Sequence, residues 1–325
     1  MILERVKALD NNQVLFAQQA YRTMYLMRRF EEEVFEFYKK GQMPGLAHLY
    51  IGEEAVATGA CMAIGEGDYL ASTHRGHGHL IARGADPCRM MAEIIGKATG
   101  YNRGKGGSMH IMDLEKGILG ANGIVGGGIP IATGAAYACK LKGKGVALAF
   151  FGDSASNQGT FHESVNMAAA WNLPIVYIIE NNLFGVTTRI SRVTKQSELF
   201  RRAEAYGIDG VRVDGNDVFA VYDAVEKAVE RARCGEGPSI IECMTFRHFG
   251  HHVGEPGIVD RSAQEVAQYK ARDPLTVLRN KNILSAEMLE EIQRDVEAQM
   301  ANVIEFALNS PYPDPGEAFT DLYAQ

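Results

Sequence analysis

Two side chains with oxygen atoms follow two apolar runs of this sequence. Asp153 comes after the run 146–151, and Asn182 ends the run 174–182. Continuous apolar runs of this length indicate buried parallel strands, and ligands bind beyond the carboxyl ends of such strands. One predicted helix separates the runs, so both side chains are expected at the same edge of a sheet. A carboxylate and an amide oxygen are suitable ligands for Mg²⁺ or Ca²⁺.

Small residues surround Asp153 in the sequence. Gly152, Ser154 and Ala155 occupy the predicted turn between strand and helix. Short side chains let backbone N–H groups approach an anion near a helix N-terminus. Because few protein ligands are predicted, a metal ion here would keep room for phosphate oxygens and water.

Glycine is concentrated in three earlier segments, THRGHGH (73–79), GKGGSMH (104–110) and LGANGIVGGG (119–128). Glycine between periodic segments predicts ordered loops that hold a ligand. A flexible linker is less favoured, because apolar residues and histidines are interspersed. GKGGSMH is similar to a phosphate-binding loop but lacks the GxxxxGK[ST] spacing.

The histidines raise zinc binding as an alternative. No cysteine or carboxylate stands at the usual spacing for a zinc ligand, which argues against this interpretation. For His77, His79, His248 and His252 we expect hydrogen bonding within loops rather than catalysis. The histidines considered are His74, His77, His79, His248, His251 and His252.

The elements that must position these residues alternate between strands and helices. This alternation predicts an α/β fold with a doubly wound parallel sheet and helices on both faces. We expect one domain over residues 1–325, extended by an N-terminal helix and a C-terminal helical tail. The predicted strands are 146–153, 174–182, 211–213 and 239–246; the predicted helices are 12–40, 53–64, 129–141, 158–171 and 216–233, with the tail at 262–325.

Composition excludes several classes of protein. The 325 residues carry a formal net charge of −7, which argues against nucleic acid as the main partner. The cysteine count is odd, at 5, and no CxxC pair occurs, so reduced thiols and a cytoplasmic location are expected. The acidic residues Glu4 and Asp10 argue against a signal peptide, and no apolar stretch is long enough to predict a membrane span.

The segment from GDSASNQG (152–159) to ENN (180–182) resembles the thiamine diphosphate motif, which begins GDG and ends NN about thirty residues later. Its middle part, NQG..HE..NMAA.W.LP, is similar to the alpha subunits of 2-oxoacid and acetoin dehydrogenases. The resemblance extends from about residue 15 to 310 and includes THRGHG, GKGGSMH and NGIVGGG. It implies thiamine diphosphate and Mg²⁺ as cofactors and the thiamine diphosphate-binding fold.

The resemblance also implies roles for single residues at the metal and diphosphate sites. Asp153 and Asn182 match Mg²⁺ ligands, and Phe184 matches a position whose backbone carbonyl binds the metal. The family usually has Tyr there. Ser154 and Ala155 match residues whose backbone contacts the diphosphate, although Gly is commoner at position 154.

Four further positions match cofactor contacts. Arg75 matches the arginine that holds the diphosphate, and His74 stands where pyruvate enzymes commonly have Tyr. Gly123 and Val125 match positions at the aminopyrimidine, where the branched Val125 side chain would force the cofactor to bend.

Two histidines match catalytic positions. His251 aligns with a histidine that contacts diphosphate and is needed to acylate the lipoyl group, and His48 aligns with one near the substrate. Arg247 matches a residue that orders the loop 246–257. His252 replaces a serine that is phosphorylated in mitochondrial relatives, so that regulatory switch is expected to be absent.

The implied function is the alpha subunit of an α₂β₂ dehydrogenase that cleaves acetoin or decarboxylates pyruvate. It would pass the acyl group to a lipoyl-bearing acyltransferase core. Because the beta subunit supplies the carboxylate that activates the cofactor, the chain alone is expected to be inactive. A branched-chain 2-oxoacid dehydrogenase and a non-catalytic assembly subunit remain alternatives. A nucleotide-binding dehydrogenase is disfavoured, since no GxGxxG follows a first strand.

Overall fold

The structure is a computed structural model that describes residues 2–255 and 261–322. The first helix, α1, spans Ile2–Lys39 and therefore begins well before the predicted residue 12. Residues 2–10 contain neither glycine nor proline, so no helix breaker stands in that stretch. The helix ends before Gly41, whose φ of +66° favours glycine.

A parallel sheet forms the centre of the described part of the chain. Its five strands are β1 (Tyr69–Ala71), β2 (Ala147–Gly152), β3 (Ile175–Asn181), β6 (Asp209–Asp214) and β7 (Ser239–Met244). They lie in the order β1-β2-β3-β7-β6. The predicted strands 146–153, 174–182, 211–213 and 239–246 are confirmed. The strand β1 was not predicted, because three residues are too few to show periodicity.

Helices cover both faces of the sheet, as the doubly wound prediction requires. Leu148 and Phe150 of β2 pack with α2 (Glu54–Met62) and α7 (Val218–Arg233) on one face. Ala149 and Phe151 pack on the other face with α5 (Gly128–Lys142) and α6 (Gly159–Ala170). Successive strand residues point to opposite faces, so a continuous apolar run supplies both cores.

The segment 65–128 is more helical than predicted. It contains α3 (His77–Ala82) and α4 (Pro87–Ile94) in addition to loops. Asp86 begins α4, because its side chain accepts a 2.8 Å hydrogen bond from the Cys88 N–H. An Asp N-cap followed by proline at the first helical position is a helix-start signal that the glycine content obscured.

The C-terminal tail consists of three helices, α8 (Ala263–Lys270), α9 (Pro274–Asn280) and α10 (Ala286–Asn309). The prediction of helix over 262–309 is therefore confirmed in outline, whereas 310–322 holds a short 3-10 turn, Pro315–Phe319. The predicted tail end at 323–325 and the loop residues 256–257 lie outside the described residues. None of the described helices is long and apolar enough to cross a membrane.

Candidate active site

One cavity lies at the carboxyl ends of the parallel strands and has a volume of about 210 Å³. Arg75 reaches it from the segment after β1, Asp153 from the end of β2 and Asn182 from the end of β3. Arg247 reaches it from the segment after β7. Parallel strands present their carboxyl ends at the same edge of a sheet, so residues distant in sequence meet there.

Every residue assigned to the site from the sequence lines this cavity. The structure therefore brings these residues together, while the role of each residue stays a prediction. The residues are His48, His74, Arg75, Gly123, Val125, Asp153, Ser154, Ala155, Asn182, Phe184 and His251.

Asp153 is a buried carboxylate on the cavity wall. It begins a 3-10 turn, Asp153–Asn157, and its side chain is 2% exposed. The Ser154 hydroxyl donates a long hydrogen bond of 3.4 Å to Oδ2. Burial raises the pKa of Asp153 to about 6. A cation bound at this carboxylate would favour its ionised form and lower that pKa.

Asn182 and Phe184 lie opposite this turn. The Asn182 Nδ2 donates a 2.9 Å hydrogen bond to Oε1 of Glu53, and its Oδ1 accepts a long one, 3.4 Å, from the Phe184 N–H. Phe184 begins a small hairpin of β4 (Phe184–Gly185) and β5 (Thr188–Arg189).

The backbone on both sides of Phe184 is strained. Leu183 has a φ of +73° and Val186 a φ of +53°. Such values are rare for residues other than glycine, and for β-branched Val186 they mark an outlier. Strained conformations cluster at ligand sites, because the surrounding structure must hold them in place.

The oxygen donors at this end of the cavity fit a hard divalent cation. Asp153 offers a carboxylate, Asn182 an amide oxygen and Phe184 a main-chain carbonyl. Mg²⁺ and Ca²⁺ prefer such ligands over nitrogen or sulfur. The donor set alone therefore agrees with the Mg²⁺ role that the resemblance implies.

Arg75 joins three parts of the cavity wall. It donates hydrogen bonds to the Leu49 carbonyl at 2.6 Å and to the His251 carbonyl at 3.1 Å. Its Nε lies 3.5 Å from Oε2 of Glu53. A guanidinium has five N–H donors, so donors remain for an anion in the cavity. Burial lowers the pKa of Arg75 to about 10, which keeps the group charged near neutral pH.

Three imidazoles meet at the cavity. The ring centroid of His48 lies 4.6 Å from that of His74 and 4.8 Å from that of His251. Burial, together with the charge of Arg75, lowers the pKa to about 2 for His48 and about 3 for His74 and His251. The rings are therefore neutral at pH 7, and each has a nitrogen able to accept a hydrogen bond.

The same cluster bears on the zinc alternative. One nitrogen from each of the three rings lies within 4.8 Å of the others, a proximity that sequence spacing could not reveal. The positive charge of Arg75, which lowers all three pKa values, also opposes a metal cation. The three imidazoles are close enough to bind one metal ion, but the positive charge of Arg75 disfavours zinc at this position.

Two of the other histidines make buried hydrogen bonds, as expected. His77 Nδ1 lies 2.9 Å from Oε2 of Glu31, and His79 Nε2 lies 2.8 Å from Oε1 of Glu180. Both residues belong to α3 rather than to a loop, which corrects the predicted setting.

The glycine-rich segment 104–107 encloses a carboxylate of the protein itself. Glu93 is fully buried, and its two oxygens accept backbone hydrogen bonds of 2.8 to 3.0 Å from Asn102, Gly104, Gly106 and Gly107. The N–H groups that would suit a phosphate are therefore already occupied. This explains why GKGGSMH is only superficially similar to a phosphate loop.

Sequence reasoning missed several residues of the cavity, including Glu53, Met109 and Glu180. Glu180 had a visible signal, since it is a charged residue at the end of the apolar run 174–182. Buried at the end of β3, it accepts hydrogen bonds from Tyr50 and lies close to His79. Glu53 had no such signal in the sequence, because its partners are distant in sequence.

Comparison with known proteins matches this arrangement to one family. The family model of the dehydrogenase E1 component matches residues 22–316. The alpha subunit of acetoin:2,6-dichlorophenolindophenol oxidoreductase from Bacillus subtilis (strain 168) is 48% identical over 306 residues, 93% of this chain and 92% of the relative. The corresponding subunit from Cupriavidus necator is 46% identical over 309 residues, 93% of this chain and 92% of the relative.

Pyruvate dehydrogenase subunits are similar as well. The E1 component subunit alpha from Rhizobium meliloti (strain 1021) is 42% identical over 310 residues, 94% of this chain and 89% of the relative. The resemblance inferred from the motifs is confirmed, and the chain belongs to the dehydrogenase E1 component family.

Proposed function

We propose that this chain is the alpha subunit of a thiamine diphosphate-dependent dehydrogenase that cleaves acetoin and transfers the acyl group to a lipoyl carrier. One observation carries the proposal: every residue matched to a cofactor role lines the same cavity at the carboxyl edge of the sheet. We further propose that the chain forms a single cofactor-binding domain.

The metal and diphosphate would be held at the deep end of the cavity. Asp153, Asn182 and the carbonyl of Phe184 would bind Mg²⁺. Arg75 would donate to the diphosphate, and the backbone at Ser154 and Ala155 would approach it at the start of the turn. An arginine whose remaining N–H groups face an anion gives directional hydrogen bonds as well as charge.

The other end of the cavity would receive the aminopyrimidine and the substrate. Gly123 and Val125 line it there, and Ile124 beside them is 73% exposed. When bound, thiamine diphosphate supplies the carbanion stabilisation that amino acid side chains lack. His48 and His251 would lie beside the substrate, and proton transfer there requires their pKa values to rise from those of the ligand-free chain.

Exposed apolar side chains on α5, on α6 and directly after α6 are an argument for a partner subunit. They include Leu141, which is 70% exposed, and the neighbouring rings of Tyr137 and Trp171, whose centroids are 5.6 Å apart. Apolar surfaces that are contiguous and exposed mark interaction sites. We assign this surface to subunit assembly, with a beta subunit completing the active site. We define the apolar assembly surface by Ile131, Tyr137, Leu141, Met167 and Trp171.

Acetoin is the preferred substrate because the two acetoin relatives are more similar than the pyruvate dehydrogenase relative. His74 agrees with this choice, since pyruvate enzymes commonly have Tyr at the matching position. Pyruvate is the second candidate, because its relatives cover the chain as fully as the acetoin relatives do.

Calorimetry and turnover test the proposal in two steps. Thiamine diphosphate should bind the purified chain only when Mg²⁺ is present. Absence of binding, both alone and with a beta subunit, would favour the alternative of a non-catalytic assembly subunit. Co-expression with a beta subunit should then give acetoin-dependent reduction of 2,6-dichlorophenolindophenol. Turnover of pyruvate but not acetoin would reverse the choice of substrate, and turnover by the chain alone would contradict the need for a partner.

A further inference from the structure

Glu53 lies between the two groups assigned to the metal and the diphosphate. It directly precedes α2, its side chain lines the cavity, and the residue is 1% exposed. Its Oε1 accepts the 2.9 Å hydrogen bond from Asn182 Nδ2, and its Oε2 lies 3.5 Å from Arg75 Nε. One carboxylate therefore contacts both the amide of Asn182 and the guanidinium of Arg75.

The contact with Asn182 determines which way the amide faces. An asparagine side chain has one donor end and one acceptor end, and a half-turn about its last bond exchanges them. Because Oε1 of Glu53 accepts the hydrogen bond, the donor end, Nδ2, faces Glu53. The Phe184 N–H on Oδ1, at 3.4 Å, agrees with this orientation. Oδ1 is thereby kept on the side away from Glu53, where a metal ligand is needed.

The contact with Glu53 gives Arg75 a charged partner and a third hydrogen-bonding or ionic contact. The two terminal nitrogens of Arg75 donate to main-chain carbonyls, which fix the plane of the guanidinium but carry no net charge. Glu53 places a carboxylate at the remaining nitrogen, Nε. Burying a guanidinium without a charged partner is costly, so this carboxylate helps to hold Arg75 in the wall.

The backbone that carries Glu53 is itself held tightly. Gly52 has a φ of +101°, and a Cβ placed on it would lie 2.2 Å from the carbonyl oxygen of Phe246. The Glu53 N–H donates a 3.1 Å hydrogen bond to the Tyr50 carbonyl. The carboxylate therefore projects from a fixed point rather than from a mobile loop.

We propose that Glu53 is a positioning residue that orients the Asn182 amide toward the metal and the Arg75 guanidinium toward the diphosphate. The inference rests on the proposed function and goes beyond it, since Glu53 itself is not assigned as a ligand of either group. Residues that orient metal ligands typically change metal affinity by about 10–100-fold when they are removed.

A second Asn–Glu–Arg set in the same fold provides a matched control. Asn181 Nδ2 donates a 2.6 Å hydrogen bond to Oε1 of Glu242, whose Oε2 accepts a 3.0 Å hydrogen bond from Arg212 Nε. Glu242 is fully buried, as Glu53 nearly is. Asn181 and Glu242 do not line the described cavity, so Glu242→Ala removes equivalent contacts outside it.

The test titrates Mg²⁺ against a fixed concentration of thiamine diphosphate and follows binding by calorimetry on the full chain. Glu53→Ala should raise the half-saturating Mg²⁺ concentration about 10–100-fold. Glu242→Ala should leave it within about twofold of wild type, although both variants lose thermal stability. An unchanged Mg²⁺ requirement in a folded Glu53→Ala chain, or an equal rise in Glu242→Ala, overturns the inference.

Glu53→Gln carries the test if the alanine variant does not fold. Glutamine presents either its carbonyl or its amino group to Asn182, so it no longer enforces one orientation. A rise in half-saturating Mg²⁺ of at least about threefold is expected, and no rise overturns the inference. Failure of the wild-type chain to bind thiamine diphosphate, both alone and with a beta subunit, would instead contradict the proposed function, so the two failures are distinguishable.

Discussion

Gly185 lies so close to Ser154 that no larger residue fits between the hairpin and the turn after β2. A Cβ on Gly185 would lie 2.1 Å from Oγ and 2.9 Å from Cβ of Ser154. Rotation of the hydroxyl would relieve the first contact but not the second. This approach brings the Phe184 segment against the turn that begins at Asp153, so that both face the same cavity.

Gly185→Ala should destabilise the chain by about 1–3 kcal/mol through this overlap. Ser154→Gly removes both clashing atoms, so the double variant should recover most of that loss. Urea denaturation of both single variants and the double variant gives the coupling energy. Gly134→Ala in α5 is the control, because a Cβ there meets nothing within 4 Å. Additive effects of the two substitutions would contradict the close approach.

Asp153→Asn should stabilise the ligand-free chain while abolishing Mg²⁺-dependent binding of thiamine diphosphate. Burial raises the pKa of Asp153 from 3.8 to about 6, so the folded state disfavours the ionised form. The loss of folding stability that results from ionising Asp153 is absent below pH 3.8. It grows as the pH rises to about 6 and is complete above that pH. The expected gain at pH 7 is about 2–3 kcal/mol.

Denaturation across this pH range checks the sign of the effect. The stability difference between Asp153→Asn and wild type should increase from pH 4 to pH 6 and then remain level. A difference that is constant with pH would show that the pKa of Asp153 is not raised by folding. Saturating Mg²⁺ and thiamine diphosphate should reverse the order of stability, because only wild type binds them.

Glu93→Gln should loosen the segment 102–107. The amino group of the introduced glutamine would face backbone N–H groups that donate to a carboxylate oxygen in the wild-type chain. Losing hydrogen bonds to a buried charged acceptor is expected to cost about 3 kcal/mol. Thermal unfolding measures the loss, and faster proteolysis within 102–107 locates it. Glu290→Gln, at an exposed position of α10, should change neither property. Unchanged proteolysis of Glu93→Gln would contradict the anchoring role.

The apolar assembly surface contains the single tryptophan of the sequence, Trp171. Its fluorescence should shift to shorter wavelength when a beta subunit covers the surface. Leu141→Asp should prevent both this shift and co-elution of the subunits, because a buried unpaired charge opposes assembly. Leu308→Asp, on the exposed part of α10, is the control and should assemble normally. Assembly of the Leu141→Asp chain would show that another surface is used.

Much of the fold is encoded locally. The runs 146–151 and 174–179 are apolar throughout, so both are recognisable as buried strands from the sequence. The polar residues that follow them are then expected at one edge of the sheet, and Asp153 and Asn182 do line one cavity. The short strand β1 and the helices α3 and α4 escaped prediction, because brief elements among glycines give weak periodic signals.

Local residue patterns are enough to place Asp153 and Asn182 at the sheet edge and to assign the chain to its family, because strand patterns and motifs are read from neighbouring residues. The side chains that support Asp153 and Asn182 become visible only in the folded chain. Glu53 and Asn182 stand 129 positions apart, yet one hydrogen bond joins them. The meeting of His48 with His251 is likewise a long-range outcome. The enclosure of Glu93 by 102–107 joins residues 9 to 14 positions apart. Such contacts depend on how helices and loops pack around the sheet, which local residue patterns do not specify.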